Sequence, residues 1–227
     1  MTGLTLIGRL GRPVTIDLCH PCQAFWFDGF ESLQLSPASV RELFRTIGEH
    51  STARPAPLST TAPCPRCGLR LMPTSDQQRT TRFEYQRCPQ GHGRLISLFN
   101  FLREKDFVRP LSAAQIAHLR RNLQTVHCSN CGAPIDLAAG ASCAHCGSPL
   151  SMIDVPQAEA LFATPQDSQA PAATGVDPTL PLALERARRD VSGAFDAFER
   201  EPGWFDRAGE AGLVGAALSS ISRWLRT

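Results

Sequence analysis

A chain of 227 residues with 23 basic and 21 acidic side chains carries a formal net charge of +2, and only 7% of it is aromatic. No apolar run approaches the roughly 20 residues that span a bilayer, so no transmembrane segment is expected. No secretory signal opens the chain, which predicts a reducing, cytoplasmic setting where the nine cysteines do not form disulfides.

Residues 4–18 read as a β-hairpin turning at Gly11-Arg12. Cys19-His20-Pro21-Cys22 follows, and then the aromatic strand that contains Phe25, Trp26 and Phe27. Ser36 is a helix N-cap with Pro37 in the first helical position. Val40, Leu43, Phe44 and Ile47 then share one helix face, and Gly48 ends the helix. Residues 1–50 therefore form a hairpin, a cysteine turn, an aromatic strand and one helix.

The run from Ile16 to Glu31 resembles the second half of the transcription-factor-IIB-type zinc finger of bacterial proteins. Asp17, Cys19, Cys22, Trp26, Asp28 and Glu31 match its pattern, while Gln23-Ala24 and Phe30 stand where the family has glycine, and no cysteine pair lies upstream of Cys19. The resemblance implies a degenerate zinc-finger module and does not by itself establish a role in transcription. Two readings of Cys19 and Cys22 lead: a retained turn without metal, or a third zinc completed by His20, His50, water or a partner's group; a C-x-x-C redox pair is the third, set back because such motifs start a helix and here a strand follows.

Residues 51–63 are a Pro- and Thr-containing linker. Beyond it lies the organising pattern of the chain. The pairs Cys64/Cys67, Cys88/His92, Cys128/Cys131 and Cys143/Cys146 supply eight ligand positions, seven thiolates and one imidazole. Zinc takes four such ligands in a tetrahedron, and a C-x₂-C turn gives two of them. Two structural zinc ions are expected, one at Cys64, Cys67, Cys88 and His92 and one at Cys128, Cys131, Cys143 and Cys146. Gly68, Gly132 and Gly147 follow directly on three of the pairs, where the returning backbone needs positive φ. A short aliphatic run follows each pair, at Leu69–Met72, Leu95–Leu98, Ala133–Leu137 and Ser148–Ile153. The fold class is thus small α+β zinc-ribbon modules, made of β-hairpin knuckles with short helices, plus a C-terminal helical segment.

Residues 64–127 form the first ribbon, with a hairpin expected to turn near Thr74-Ser75-Asp76 and a helix from Ser112 to Thr125 opened by a Ser112/Gln115 capping box. Ile116, Leu119 and Leu123 mark the buried side of that helix. Residues 128–162 form the second ribbon and a short helix that starts at Asp154 and Pro156. Residues 163–181 are a flexible linker, and 182–227 an amphipathic tail whose first helix reaches Arg200. In the last helix Val214, Leu218, Ile221 and Leu225 share a face with Trp224 beside it, a pattern that docks into a protein groove, lies on a membrane surface or packs back on the chain.

Charge is uneven along these modules: residues 1–50 are net −1, 64–127 net +7 and 128–227 net −5. Arg79, Arg82, Arg87 and Arg94 interleave with Phe83, Tyr85, Phe99, Phe101 and Phe107, a composition suited to single-stranded nucleic acid but equally to a small aromatic core beside an anionic metal site. No nucleophile–base pattern, phosphate loop or paired carboxylate motif is visible, and both zinc sites have full protein coordination. The sequence therefore predicts a non-catalytic zinc adaptor that engages a protein or membrane surface through its tail, with a nucleic-acid-binding, transcription-related regulator as the alternative.

Overall fold

Strands β1 (Thr2–Ile7) and β2 (Pro13–Cys19) form the expected hairpin, with Gly11 at φ 70° in its turn. The structure is a computed structural model and describes residues 1–49, 56, 58–78, 81–154 and 203–224. Val14, Ile16 and Leu18 alternate along β2 and are buried, as a strand with one covered face requires. Strand β3 (Ala24–Asp28) pairs with β2 on one side and with β6 (Gly93–Ser97) on the other. β6 belongs to the first cysteine module, so that module and the N-terminal hairpin share a sheet.

The whole sheet is antiparallel and six-stranded, in the order β1-β2-β3-β6-β5-β4, with β4 spanning Met72–Gln78 and β5 Thr81–Arg87. Because β3 is central, both its faces are covered. Phe25 and Phe27 point into the main core, while Ala24 and Trp26 point into a smaller cluster with Cys64, Leu71, Cys88 and Leu95. The period of two in one short strand thus divides the interior between a general core and a metal-centred one.

Thr74, Ser75 and Asp76 are not a turn, contrary to expectation. They lie inside β4, opposite Tyr85, Glu84 and Phe83, and the chain reverses between Gln78 and Thr81. Polar side chains misled the reading because β4 is an edge strand whose residues are nearly all exposed; its conformation is imposed by pairing with β5 and not by burial of its own.

Helix α1 (Glu31–Gln34) leads into α2 (Pro37–Glu49). The Ser36 hydroxyl accepts from the Ser39 amide at 3.1 Å, the expected cap, and Val40, Leu43, Phe44 and Ile47 are buried. α3 (Leu98–Glu104) places Phe99 and Phe101 in the main core, where Phe107 joins them from the loop beyond the helix. These aromatics close the interior rather than forming a stacking platform. α4 (Ala113–Asn122) carries both halves of the expected capping box, Gln115 N to Ser112 Oγ at 3.3 Å and Ser112 N to Gln115 Oε1 at 3.0 Å.

The second cysteine module contributes β8 (Thr125–His127) and β9 (Pro134–Asp136), which pair with each other, and β10 (Ser151–Ile153), which pairs with β7 (Val108–Pro110).

Helix α5 (Trp204–Trp224) corrects the sequence reading of the tail. Val214 and Leu218, expected as partner-docking residues, are 3% and 1% exposed and pack into the main core with α2. Ala208, Leu213 and Ala216 pack against the second cysteine module. The described half of the apolar stripe, Val214 and Leu218, is thus covered by the chain's own interior, which an isolated helical pattern cannot reveal. The side chains of Ile221, Trp224 and Leu225, the helix read at 182–200 and the short helix read after Asp154 lie outside the described residues. No described helix is long and apolar enough to cross a membrane.

Candidate metal centres

Two clusters of ligand atoms converge, Cys64/Cys67/Cys88/His92 and Cys128/Cys131/Cys143/Cys146, each with its atoms within 4.8 Å of one another. They are the two sets that the spacing predicts. Among the described residues no other group of three or more cysteine, histidine or carboxylate side chains converges in this way.

The backbone explains the convergence. In the turn at Cys64 the cysteine amide donates to Leu69 O at 2.8 Å and Gly68 N returns to Cys64 O at 2.9 Å. The turns at Cys128 and Cys143 repeat this with Ala133 and Gly132, and with Ser148 and Gly147, all bonds falling at 2.8–2.9 Å. The turn at Cys88 keeps the outer bond, Cys88 N to Gly93 O at 2.9 Å, and closes its inner one through Gly91 N at 3.0 Å. Gly68, Gly91, Gly132 and Gly147 have φ of 72°, 75°, 73° and 70°, the left-handed region in which a side chain would be strained. Amides in the turns also point at sulfur: Arg66 N and Gln90 N lie 3.4 Å from Cys64 Sγ and Cys88 Sγ.

The spacing of the donor atoms tests the fit to zinc. Bonds of about 2.3 Å to sulfur and about 2.0–2.1 Å to nitrogen in a tetrahedron set sulfur–sulfur edges at about 3.8 Å and sulfur–nitrogen edges at about 3.5 Å. The observed edges are 3.6 Å for Cys67–Cys88, Cys128–Cys146 and Cys131–Cys143, with His92 Nδ1 3.8 Å and 3.5 Å from the sulfurs of Cys64 and Cys88. A disulfide needs about 2.0 Å, and all nine cysteines are free thiols. Both ligand sets fit one tetrahedral ion each, and the soft thiolate donors favour zinc among common divalent metals.

The thiols differ in acidity. Burial acts to raise Cys88, but amides of His92 and Gln90 and the Cys64 and Cys67 thiols bring it down to about 6. At Cys146 burial is again outweighed, here by the hydroxyl and amide of Ser148 and by Cys131 and Cys128, giving about 7. Burial dominates at the other end of the same site: Cys131 is pushed up to about 11, and Cys128, more deeply buried, higher still.

Several contacts around the ligands were not legible beforehand. Arg66, inside the first turn, ion-pairs with Asp28, whose carboxylate also accepts from Trp26 Nε1 at 2.6 Å, and the Asp28 amide donates to Glu31 at 2.7 Å. Trp26, Asp28 and Glu31 thus act as one bonded set facing the first metal site. At the second site Asn130, inside the first turn, accepts from Asn100 at 2.9 Å and donates to Ser148 Oγ at 3.1 Å, tying that turn both to α3 and to the opposing one. Only the position of an asparagine between two ligands hinted at this. Beside the site, Asn100, Asn130, Tyr85, Gln86 and His145 line an open cleft of about 450 Å³.

The remaining predicted site residues are dispersed. Cys19 and Cys22 sit at the turn between β2 and β3, half-buried, with no third described ligand beside them. Arg82 and Arg87 are exposed on β5 but, five residues apart, project from opposite faces of the sheet. Arg94 is taken up internally by Glu104 and Ser32, and Arg79 lies outside the described residues. His127, beside the ligand Cys128, faces the tail with Nδ1 2.5 Å from Gly209 O. No known protein family, no curated protein and no solved structure matches this chain.

Proposed function

We propose that this chain is a non-catalytic scaffold in which two structural zinc ions fix a surface used for protein interaction. The observation that carries this is the closure of both ligand sets: four protein donors converge at each site at zinc-like edges, leaving no position at which a metal-bound water or substrate would complete the shell. Bound there, the ions supply folding energy to modules too small to be held by their own cores. Residues 1–50 we take to be a degenerate relative of the transcription-factor-IIB-type finger that has kept its tryptophan and acidic residues as a brace for the neighbouring site.

With Val214 and Leu218 covered, the interaction surface lies elsewhere. Ile7, Leu10, Phe30 and Leu33 are 61%, 85%, 78% and 60% exposed. They belong to two segments bonded to each other, since Arg9 N donates to Gln34 O at 2.8 Å and Gly8 bridges Leu35. Large apolar side chains left in water on one edge are the ordinary mark of a contact surface. Affinity capture with wild type and with Leu10→Asp/Phe30→Asp, at equal zinc content, tests this. Loss of the specifically retained proteins in the variant supports the scaffold reading; an unchanged set overturns this surface. Arg82 and Arg87 project from opposite faces and Arg94 is paired internally, so these three arginines form no shared basic face for the nucleic-acid alternative.

A further inference from the structure

Both ligand sets are complete, but they are not equally covered. All four cysteines of the second site lie in an apolar cluster with Leu119, Leu137, Leu213 and Ala216, and none of them is exposed. In the first site only Cys64 and Cys88 are buried, in the cluster around Trp26. Cys67 and His92 are exposed. A small solute that reacts with thiolate therefore reaches Cys67 more readily than any sulfur of the second site.

The exposed side of the first site also carries its links to α1. Arg66, next to Cys67 in its turn, ion-pairs with Asp28 and donates from Nε to Asp28 Oδ1 at 3.3 Å. On the opposing turn, His92 O accepts from Gly29 N at 3.4 Å, and Gly93 stands opposite Asp28 in the register of β3 and β6. Asp28 N in turn donates to Glu31 Oε2 at 2.7 Å, at the start of α1. Phe30 and Leu33, 78% and 60% exposed, belong to this same stretch. The segment from Asp28 to Leu33 is thus held by both turns of the first site, through Arg66 on one and His92 on the other.

We infer that the first site is a peroxide-sensitive switch: oxidation of Cys67 empties it and frees the segment that carries Phe30 and Leu33, while the second site keeps its ion. A metal-bound cysteine is a thiolate. The Cys67 sulfur attacks one oxygen of hydrogen peroxide, the O–O bond breaks, and hydroxide leaves; the sulfur is oxidised by two electrons to a sulfenic acid and the peroxide is reduced by two. Cys88 Sγ, on the opposing turn, stands 3.6 Å from Cys67 Sγ. Its thiolate attacks the sulfenic sulfur, an S–S bond forms, the S–O bond breaks, and a second hydroxide leaves. Each hydroxide takes a proton from solvent. Cys64 and His92 are then the only donors left, too few to hold the ion. With the two turns no longer fixed by a common metal, the contacts of Arg66 and His92 to Asp28 and Gly29 lose their support, and half of the proposed contact surface loses its anchor.

This inference rests on the zinc reading of the two closed sites and on the contact surface at Phe30 and Leu33, and the experiment separates all three. The zinc-loaded full chain is treated with hydrogen peroxide beside a chromogenic zinc chelator, and disulfides are mapped by mass spectrometry of alkylated peptides. The expected result is release of about one zinc ion per chain in a first phase, together with a Cys67–Cys88 bond, while Cys128, Cys131, Cys143 and Cys146 stay unoxidised. The peptide map distinguishes this bond from any at Cys19 and Cys22. Hydrogen exchange over residues 28–34 should then accelerate by about tenfold or more and stay unchanged in β8 and β9; dithiothreitol with added zinc should restore it. Earlier or simultaneous release from the second site overturns the switch, as does zinc loss without the Cys67–Cys88 bond. Unchanged exchange over 28–34 after the first ion is lost overturns its link to the surface. Metal analysis of the untreated chain, expected at about two ions, tests the zinc reading by itself. None of these readouts needs a partner, so a failed capture experiment removes the contact surface without deciding the switch, and a failed switch leaves the capture result standing.

Discussion

Arg94 donates from Nη2 to both carboxylate oxygens of Glu104, at 2.9 and 2.7 Å, in a site where the two side chains are 16% and 8% exposed. The same nitrogen reaches Ser32 Oγ at 2.5 Å, and the guanidinium lies over the rings of Tyr85 and Phe27 at 5.1 and 5.8 Å. Arg94 comes from the strand after the second ligand pair, Glu104 from the end of α3, and Ser32 from α1. Three separate parts of the chain therefore converge on one charge pair, and Lys105 reinforces it with Nζ 3.0 Å from Ser32 O. Removing Glu104 leaves the buried Arg94 without its carboxylate, at a cost of about 3–5 kcal/mol, whereas removing Arg94 still leaves Glu104 the Lys105 ammonium at 3.2 Å. Glu104→Ala should lower the unfolding free energy, read from urea titration, by that amount with zinc retained at both sites, whereas Arg94→Met/Glu104→Leu should cost clearly less. Equal losses in the single and double variants would show that packing, not the charge pair, is what matters there.

Gly212 interrupts α5 with φ 71° and ψ 164°, and a Cβ placed there would lie 2.7 Å from the backbone oxygen of His127. On either side of it the tail is held by residues flanking the ligand Cys128: His127 faces Gly209 O, and Ser129 Oγ accepts from Val214 N at 3.4 Å. Gly212→Ala therefore meets both a disallowed conformation and an immovable backbone atom. It should destabilise the docked tail by more than about 1 kcal/mol. Hydrogen exchange over residues 204–218 should accelerate, while exchange in β3 and β6 stays slow. Unchanged protection of the tail would mean that the helix reseats without its kink.

How much of the molecule was legible in its sequence depended on range. The ligand sets could be read because zinc chemistry constrains residue type and spacing together, and the positive φ of the glycines followed from the same turn. The Ser36 and Ser112 caps were equally local. What stayed hidden was every contact between modules. Nothing in the period-two pattern of Phe25, Trp26 and Phe27 shows that β6 will pair with β3, because pairing partners at such separation leave no mark on local sequence. The tail showed its apolar stripe, but a stripe does not say what it covers. Arg94 looked like a free cation because its partner, Glu104, lies ten residues on in a different element.

Acid should empty the second metal site before the first. Bound sulfur carries no proton, so affinity falls wherever the metal-free thiol is protonated. In the first site Cys67 is raised and protonated at neutral pH, but Cys88, at about 6, is still mostly thiolate there, and its contribution is lost only as pH falls through that value. In the second, Cys146 protonates through about 7, and Cys128 and Cys131 already carry their protons at neutral pH. Zinc release followed with a chromogenic chelator between pH 8 and pH 5 should show two steps. Cys143→Ser should remove the one at higher pH, and Cys88→Ser the one at lower pH. A reversed order would contradict the assigned shifts.

Trp26 couples the N-terminal module to the first metal site by packing and by one hydrogen bond. Its side chain is 1% exposed and clusters with Cys64, Leu71, Cys88 and Leu95, while its indole N–H donates to Asp28. Asp28 in turn holds Arg66, inside the turn that carries two ligands. The two links should differ in weight. Arg66 is 58% exposed on its side chain, so Arg66→Gln should change stability by less than about 1 kcal/mol. Trp26→Ala opens a cavity against the ligand cysteines and should cost about 3–5 kcal/mol, with zinc lost from the first site at chelator concentrations that leave the second filled. Trp26→Phe keeps the packing and removes the donor, so it should fall between the two and restore most of the metal retention. If Trp26→Ala instead weakens both sites equally, the tryptophan supports the sheet as a whole and not the metal turn it faces.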